Sequence, residues 1–175
     1  MGRDLRGFTF VELMVVVAVA AILLAISVPS FQSLINAKRV EGIAAELGTD
    51  IQFARSEAVS KNAVSRIVFT SPTQYSIHTE RPVPSTVNCT AVATTVPAKS
   101  VDLGSNSPVT FTGPSAGALP NCFAFEPVRG IVAAAASVEA VNSQGGAKVR
   151  ISVGVTGRPQ YCVPSGSTVG GYAPC

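Results

Sequence analysis

A single long apolar run dominates the hydrophobicity pattern of this chain. No charged residue occurs after Glu12 until Lys38, and residues 13–26 are almost all Val, Ala, Ile and Leu. A membrane-spanning helix needs about 20 apolar residues, each adding about 1.5 Å to its length. Residues 8–29 have this length. The run therefore predicts a transmembrane helix.

The helical pattern continues beyond the apolar run in an amphipathic form. Pro29 lies inside it and predicts a kink, because proline lacks a backbone N–H and clashes with the preceding turn. Residues 30–62 then show an apolar stripe at helical spacing, made of Ile43, Leu47, Ile51, Ala54 and Ala58. Asp50 is expected on the polar side. Gly42 and Gly48 each weaken this helix by about 1 kcal/mol relative to Ala, so packing on a sheet is expected to hold it.

Residues 63–175 read as a β-rich head. Alternating apolar positions and turn residues predict strands at 64–69, 74–79, 109–112, 122–125, 131–141 and 148–155. The proline-containing stretch 81–107 is expected to be a surface loop. The predicted fold class is α+β, in which a long N-terminal α-helix, half transmembrane and half amphipathic, packs on the β-rich head. Charged residues make up only 13% of the chain and its net charge is +3, a mild excess that does not by itself indicate nucleic-acid binding.

The segment before the apolar run contains its own signals. Residues 1–7 form a short leader in which Arg3 and Arg6 favour the cytoplasmic side. Glu12 is unexpected, because a carboxylate at the centre of a membrane helix costs about 2.5–3.5 kcal/mol. Cleavage between Gly7 and Phe8 would create an amine that can pair with Glu12 of the same or a neighbouring copy. A secretory signal peptide with a small-x-small site at 25–27, or a plain single-span anchor, would leave Glu12 without a role.

Residues 7–17 have the order Gly-Phe-Thr-Phe-Val-Glu-Leu-Met-Val-Val-Val. This order resembles the class III signal of type IV pilins and type II secretion pseudopilins. The resemblance implies that a prepilin peptidase cuts after Gly7 and methylates Phe8, and that Glu12 guides the subunit into a filament. It also agrees with a kink at Pro29. The implied partners are the peptidase, other minor and major pilins or pseudopilins, and the inner membrane.

A second segment narrows this resemblance. Ala-Arg-Ser-Glu-Ala at residues 54–58, followed by the strand at 64–69, resembles the GspH/FimT branch of minor pilins and pseudopilins. This implies the pilin fold and a structural subunit of a type IV pilus or a type II secretion pseudopilus. The protein would be a single-pass inner-membrane protein with its head in the periplasm before it enters the filament.

The alternative function is DNA capture in natural transformation. Some members of this branch bind DNA through a G-R-x-R motif, of which this chain has Gly157 and Arg158 but carries Gln160 in place of the second arginine. Lys148 and Arg150 lie two residues apart, and with Arg158 they are candidate DNA contacts. Tyr161 is a candidate for base stacking. The competing interpretation is a solvated edge of the head, with Tyr161 packed near a disulfide.

Four cysteines, Cys89, Cys122, Cys162 and Cys175, follow the apolar run. They contain no Cys-x-x-Cys pair, so two disulfides in an oxidising periplasm are expected rather than a metal site. Three pairings are possible. We favour Cys89–Cys122 and Cys162–Cys175, because the second closes a short loop and holds the C-terminal residues.

Signatures of catalysis are missing from the sequence. His78 is the single histidine, no nucleophile elbow lies nearby, and the chain contains no Walker-type phosphate loop. We therefore expect no enzymatic activity, no cofactor and no metal.

Overall fold

The computed structural model describes residues 8–81, 96–113, 122–132, 134–144 and 146–175. These residues form a 51-residue α-helix, α1 (Phe10–Ser60), and eight strands. The strands are β1 (Val64–Ser71), β2 (Gln74–Glu80), β3 (Lys99–Asp102), β4 (Val109–Thr112), β5 (Cys122–Phe125), β6 (Ala136–Asn142), β7 (Lys148–Val153) and β8 (Pro159–Cys162). The predicted α+β class is confirmed.

The chain divides into two compact units, the first ending at Ile35 and the second beginning at Asn36. In the first unit the large apolar side chains of α1 are exposed, among them Ile22 at 62% and Leu24 at 64%. This part of α1 contains a window that is long and apolar enough to cross a membrane. The predicted leader, including Gly7, lies outside the described residues, and the kink at Pro29 stays a prediction.

In the second unit, the rest of α1 is the central element of the core. The predicted stripe is largely correct, because Leu47, Ile51, Ala54 and Ala58 are completely buried. Ile43 is only partly buried, and the stripe continues toward the N-terminus through Ala44, Val40 and Ala37. Asp50 is also buried, contrary to prediction, because a polar partner from the sheet reaches it.

The head contains two antiparallel four-stranded sheets. Their strand orders are β3-β2-β1-β5 and β4-β6-β7-β8. The hairpin between β1 and β2 pairs Arg66 with His78 and Ile67 with Ile77, as the turn at residues 71–73 predicts. Rings from both sheets meet in one aromatic cluster, in which centroids are 5.6–5.8 Å apart; its members are Phe69, Tyr75, Phe111 and Phe123. One hydrophobic core therefore joins α1 to both sheets.

Three strand predictions need correction. β3 lies inside the stretch predicted as a loop, because its four residues carry little apolar character and owe their extended form to pairing with β2. The strand predicted at 131–141 begins only at Ala136, and Val132 makes an isolated bridge to Phe125. β8 was not predicted because it begins with Pro159, and proline usually argues against a strand. Sheets accept proline at the start of an edge strand, and β8 is an edge strand.

Candidate functional site

The N-terminal end of α1 places Glu12 in the first helical turn. The backbone N–H of Glu12 donates to Thr9 Oγ1 at 3.2 Å, so Thr9 caps the helix. Thr9-x-x-Glu12 has the spacing of a capping box, a signal that the sequence reasoning missed. Within the described residues, the Glu12 carboxylate has no ion-pair partner. Capping therefore occupies the backbone of Glu12 and leaves its charge available to another group.

A buried polar contact joins α1 to the first sheet. Asp50 is 3% exposed and accepts hydrogen bonds from Tyr75 Oη at 2.7 Å and from Lys99 Nζ at 2.6 Å. Burial, reinforced by the hydrogen bond to Asp50, raises the pKa of Tyr75. The hydroxyl therefore stays protonated and keeps donating to the carboxylate. This contact fixes one point of α1 against β2 and β3.

A second buried charge was also missed by sequence reasoning. The Arg66 side chain lies on β1, is 1% exposed and forms an ion pair with Glu80 of β2. The alternation of residues 64–69 gives no sign of this, because Arg66 reads as an outward-facing residue of an amphipathic strand. Both contacts have the character of structural ion pairs within the head.

Tyr161 fills a notch in α1 made by Gly48. A Cβ atom at Gly48 would lie 1.6 Å from the Tyr161 hydroxyl oxygen. The Tyr161 ring also lies 6.2 Å, between centroids, from that of Tyr172, and burial raises the pKa of Tyr161. Gly48 is thus a packing position rather than a simple weakness of the helix. Tyr161 is turned toward α1, which favours a packing role over a role in stacking on a base.

The segment at residues 54–58 and the Gly157 position of the G-R-x-R motif meet in space. Arg55 Nε donates to the carbonyl oxygen of Gly130 at 3.0 Å. Gly157 has a φ of +71°, and a Cβ atom there would lie 2.4 Å from the same carbonyl oxygen. Arg55 and Gly157 therefore support one loop of the head. Gly157 has a structural reason to be glycine that is independent of any ligand.

Lys148 and Arg150 lie on the same face of β7, as predicted, but their charges are not equally available. Arg150 donates through Nε at 2.9 Å and through a terminal nitrogen at 2.7 Å to Glu139 Oε1 on β6. Glu139 is 2% exposed, so this carboxylate offsets the arginine in a buried setting. Lys148 has no ion-pair partner among the described residues.

Arg158 does not join this pair. In the register of β7 and β8, Val153 lies opposite Pro159, so Arg158 lies beyond the end of β7 that is remote from Lys148. Six residues of strand separate Lys148 from this end, a distance of about 20 Å. Arg158 therefore lies apart from Lys148 and Arg150 along the sheet, and the three-residue DNA contact stays a prediction. Gln160, opposite Ser152, adds no charge.

The cysteines and the histidine have structural environments. Cys162 and Cys175 form the favoured disulfide. Cys122 is also disulfide-bonded, while its predicted partner Cys89 lies outside the described residues. His78 is 8% exposed, and its Nε2 lies 2.9 Å from Ser76 Oγ. Across the described ranges, no group of three His, Cys, Asp or Glu side chains could hold a metal ion.

Comparison with models of protein families shows the family to which this chain belongs. The model described as type II transport protein GspH matches residues 44–157, more than half of the chain. The chain belongs to the GspH family. A second model, the prokaryotic N-terminal methylation motif, matches residues 3–28. The GspH match contains both Arg55 and Gly157, and it ends before β8 and the C-terminal residues.

The GspH-family fold is also seen among solved structures. The head and helix resemble two crystal forms of the type IV minor pilin FimU from Pseudomonas aeruginosa strain PAO1. The P65 form has a TM-score of 0.51 and 20% identity over 69% of this chain and 90% of FimU. The P21 form has a TM-score of 0.53 and 20% identity over 70% of this chain and 87% of FimU. No curated protein matches the chain.

Proposed function

We propose that this GspH-family protein is a structural subunit of a type IV filament, as a minor pilin or a minor pseudopilin. The observation that carries the proposal is the contrast within α1. Its first part exposes a continuous apolar surface, and its second part is the spine of the head. An exposed apolar surface of this extent requires a cover. A bilayer supplies that cover before assembly, and the helices of neighbouring subunits supply it in the filament.

Processing is the first step of the proposed function. A prepilin peptidase cuts between Gly7 and Phe8 and methylates the new N-terminus. The match of residues 3–28 to the methylation motif supports this step. The carboxylate of Glu12, which is unpaired within the described residues, then meets the N-terminal amine of a subunit in the filament. Pairing of the two charges removes the cost of an isolated carboxylate in an apolar environment.

The location follows from charge and redox chemistry. Arg3 and Arg6 hold the leader on the cytoplasmic side of the inner membrane, and the head then lies in the periplasm. The Cys162–Cys175 disulfide fits this oxidising compartment. Other pilins or pseudopilins are the partners in the filament.

Intact-mass measurement tests the proposal. We expect that coexpression with an active prepilin peptidase shortens the full chain by its first seven residues and adds one methyl group at Phe8. An inactive peptidase variant is the control and should leave the full mass. A mature N-terminus near residue 28 would replace the filament proposal with ordinary secretion, because the apolar part of α1 would then be a signal peptide.

A further inference from the structure

A groove lies between the C-terminal end of α1 and the turn that follows β5. Its volume is about 370 Å³, and binding pockets usually have volumes of about 300–1,000 Å³. Two cationic and two apolar side chains line it beside the polar Gln52 and Ser56; these four are Arg55, Arg129, Val59 and Val128. The Ser56 hydroxyl donates to the carbonyl oxygen of Phe53 at 2.8 Å, so it already has a partner. The arginines and valines are therefore the groups that a ligand would meet.

The turn that forms one wall of the groove is strained. Val128 has a φ of +68°, which is unusual for a residue with a β-branched side chain. Arg129 N–H donates to Pro127 O at 2.8 Å, so Val128 is the central residue of a γ-turn of the rare, strained kind. Strain of this type costs about 1–3 kcal/mol and is found most often at functional sites. The Val128 side chain is 69% exposed, so packing in the core does not explain it.

Neighbouring contacts hold this turn in place before a ligand arrives. Gly130 N–H donates to Glu126 O at 3.0 Å, and Glu126 N–H donates to Ile131 O at 2.8 Å. The Arg55 side chain, which donates to Gly130 O at 3.0 Å, ties the turn to α1. An ordered wall lowers the entropy cost of binding.

The groove itself has a positive charge. No acidic residue lines it, and no acid pairs with Arg55 in the part of the chain that the structure describes. The Arg129 side chain is 73% exposed and lies 3.6 Å from Glu126, which offsets its charge. The other acid on the last turns of α1, Glu57, pairs with Lys61. The charge of Arg55 is therefore left over.

Arg158 adds a second cation close to the groove. A Cβ atom at Gly157 would lie 3.3 Å from Arg55 Cδ, so the residue after Gly157 is also near Arg55. Arg158 is exposed, and none of the acids in the described ranges pairs with it. Two positive charges therefore remain around two exposed valines. A carboxylate that lies beside an apolar side chain would match this surface.

A second copy of this chain has no such carboxylate to offer. Eight acids lie between residues 36 and 175, and each has an ion pair or a hydrogen bond within its own head. Cys175 lines another groove with Lys148 and Arg150, so a carboxylate at this position has cations of its own. The remaining acids, Asp4 and Glu12, belong to the leader and to the apolar part of α1. The matching carboxylate must come from a chain of different sequence.

We propose that this groove docks the head of another pilin or pseudopilin, with an apolar side chain against Val59 and Val128 and a carboxylate at Arg55. The inference rests on the filament function proposed above and adds to it the surface of one contact between unlike subunits. Arginine is enriched in protein interfaces, whereas lysine and acids are depleted. The groove lining has the same character. Nucleic acid matches less well, because two valines occupy the lining and two unpaired cations neutralise few phosphates.

Photo-crosslinking of the full chain in membranes tests the proposal. p-Benzoylphenylalanine takes the place of Val59 in the groove or, as an exposed control, of Ser143 after β6. Each other chain of the same organism that has the N-terminal methylation motif is coexpressed with it, one at a time. We expect a covalent heterodimer from position 59 with at least one of these chains. Position 143 should give none, and position 59 should give no homodimer.

A matched pair of variants tests the charge. Arg129→Gln should lower the initial yield of the heterodimer about two- to fivefold, as expected for a partly exposed ion pair. Arg39→Gln removes the same charge from α1 at a distance of about 24 Å from Arg55 along the helix, and it should leave the yield unchanged. Arg55 is kept, because its loss would also release the turn.

A further variant, Val128→Asn, tests the reason for the strained turn. Asparagine adopts this backbone region more readily, so thermal unfolding should show a head at least as stable as that of the unmodified chain. The yield of the heterodimer should fall at least as much as with Arg129→Gln, because the valine contact is lost. A lower melting temperature with full crosslinking would mean that Val128 serves stability alone.

Three other outcomes would overturn the proposal. These are a homodimer as the only product from position 59, no product from a chain that is processed and enters filaments, or equal effects of Arg129→Gln and Arg39→Gln. A chain that the prepilin peptidase does not process would contradict the filament function, and this inference with it. Retardation of duplex DNA that Arg129→Gln abolishes and Arg39→Gln does not would assign the groove to nucleic acid instead.

Discussion

The two parts of α1 have the same secondary structure and opposite surroundings. Before Ile35 the large apolar side chains are exposed, whereas from Ala37 to Ala58 one apolar stripe is buried against the sheets. The first part has no sheet packed on it within its own unit, so it has no separate buried and solvent-facing sides, and its side chains can be apolar all round. The second part needs a polar side, because water covers what the sheets do not. The contrast teaches that the first part is built for contacts with other molecules, and the second for the stability of the head.

The acids of the two parts show the same division. Glu12 presents a carboxylate without an ion-pair partner among the described residues. Asp50 accepts two hydrogen bonds inside the head, from Tyr75 and Lys99. A buried acid with partners fixes a fold, and an unpaired acid in an apolar surface is available for an intermolecular contact.

The largest expected effect separates the two apolar surfaces. Ile51→Ala should lower the free energy of unfolding of the head by about 2–5 kcal/mol, because it leaves a cavity in a fully buried site. Ile22→Ala makes the same chemical change on the exposed part of α1 and should have little effect on the head. Urea unfolding of the full chain in detergent, followed by near-ultraviolet circular dichroism, measures both. Equal effects would contradict the division of α1 into two surfaces.

The next effect separates the two acids. Asp50→Ala should destabilise the head by about 1–3 kcal/mol, because it leaves the buried Tyr75 hydroxyl without an acceptor. Glu12→Ala should leave head stability and peptidase cleavage unchanged and should reduce filament assembly. Unfolding in urea and quantification of surface filaments or of secretion give the two readouts. Assembly at the wild-type level by Glu12→Ala would remove the role proposed for Glu12.

A smaller effect sharpens the description of the second part of α1. Gly42→Ala should stabilise the head by up to about 1 kcal/mol, because no atom lies near the added Cβ and Ala favours a helix. Gly48→Ala should destabilise it by about 1–3 kcal/mol, because the Cβ meets the Tyr161 hydroxyl. Thermal unfolding compares the two variants. Adding Tyr161→Leu to Gly48→Ala should recover part of the loss, and a failure to do so would place the cost elsewhere.

The smallest expected effect concerns DNA. At physiological salt we expect no retardation of duplex DNA by the protein, because Glu139 offsets Arg150 and Arg158 lies far from Lys148. Gln160→Arg places a guanidinium opposite Ser152 on the same face as Arg150. It should add at most one phosphate contact, a change of about −0.9 in the log–log salt slope. Strong retardation by the unmodified chain, lost on neutralising Lys148, Arg150 and Arg158, would restore the DNA-capture hypothesis.

Local patterns in the sequence were sufficient for α1, for most of the strands and for the family. The uninterrupted apolar run, the stripe around Leu47 and Ile51, and the hairpin at 71–73 each depend on neighbours within a few residues. The same is true of the signal around Gly7, Phe8 and Glu12. Short-range spacing of side chains is visible in a sequence, so these features could be read without a structure.

Contacts between distant residues were decided only by the tertiary structure. The charge balance of Arg150 depends on Glu139 across a strand pair, and the direction of Tyr161 depends on Gly48 in α1. The burial of Asp50 depends on Tyr75 and Lys99, which lie 25 and 49 residues away. Propensity and spacing carry no information about such partners, because sheet register and the docking of a helix on a sheet bring them together.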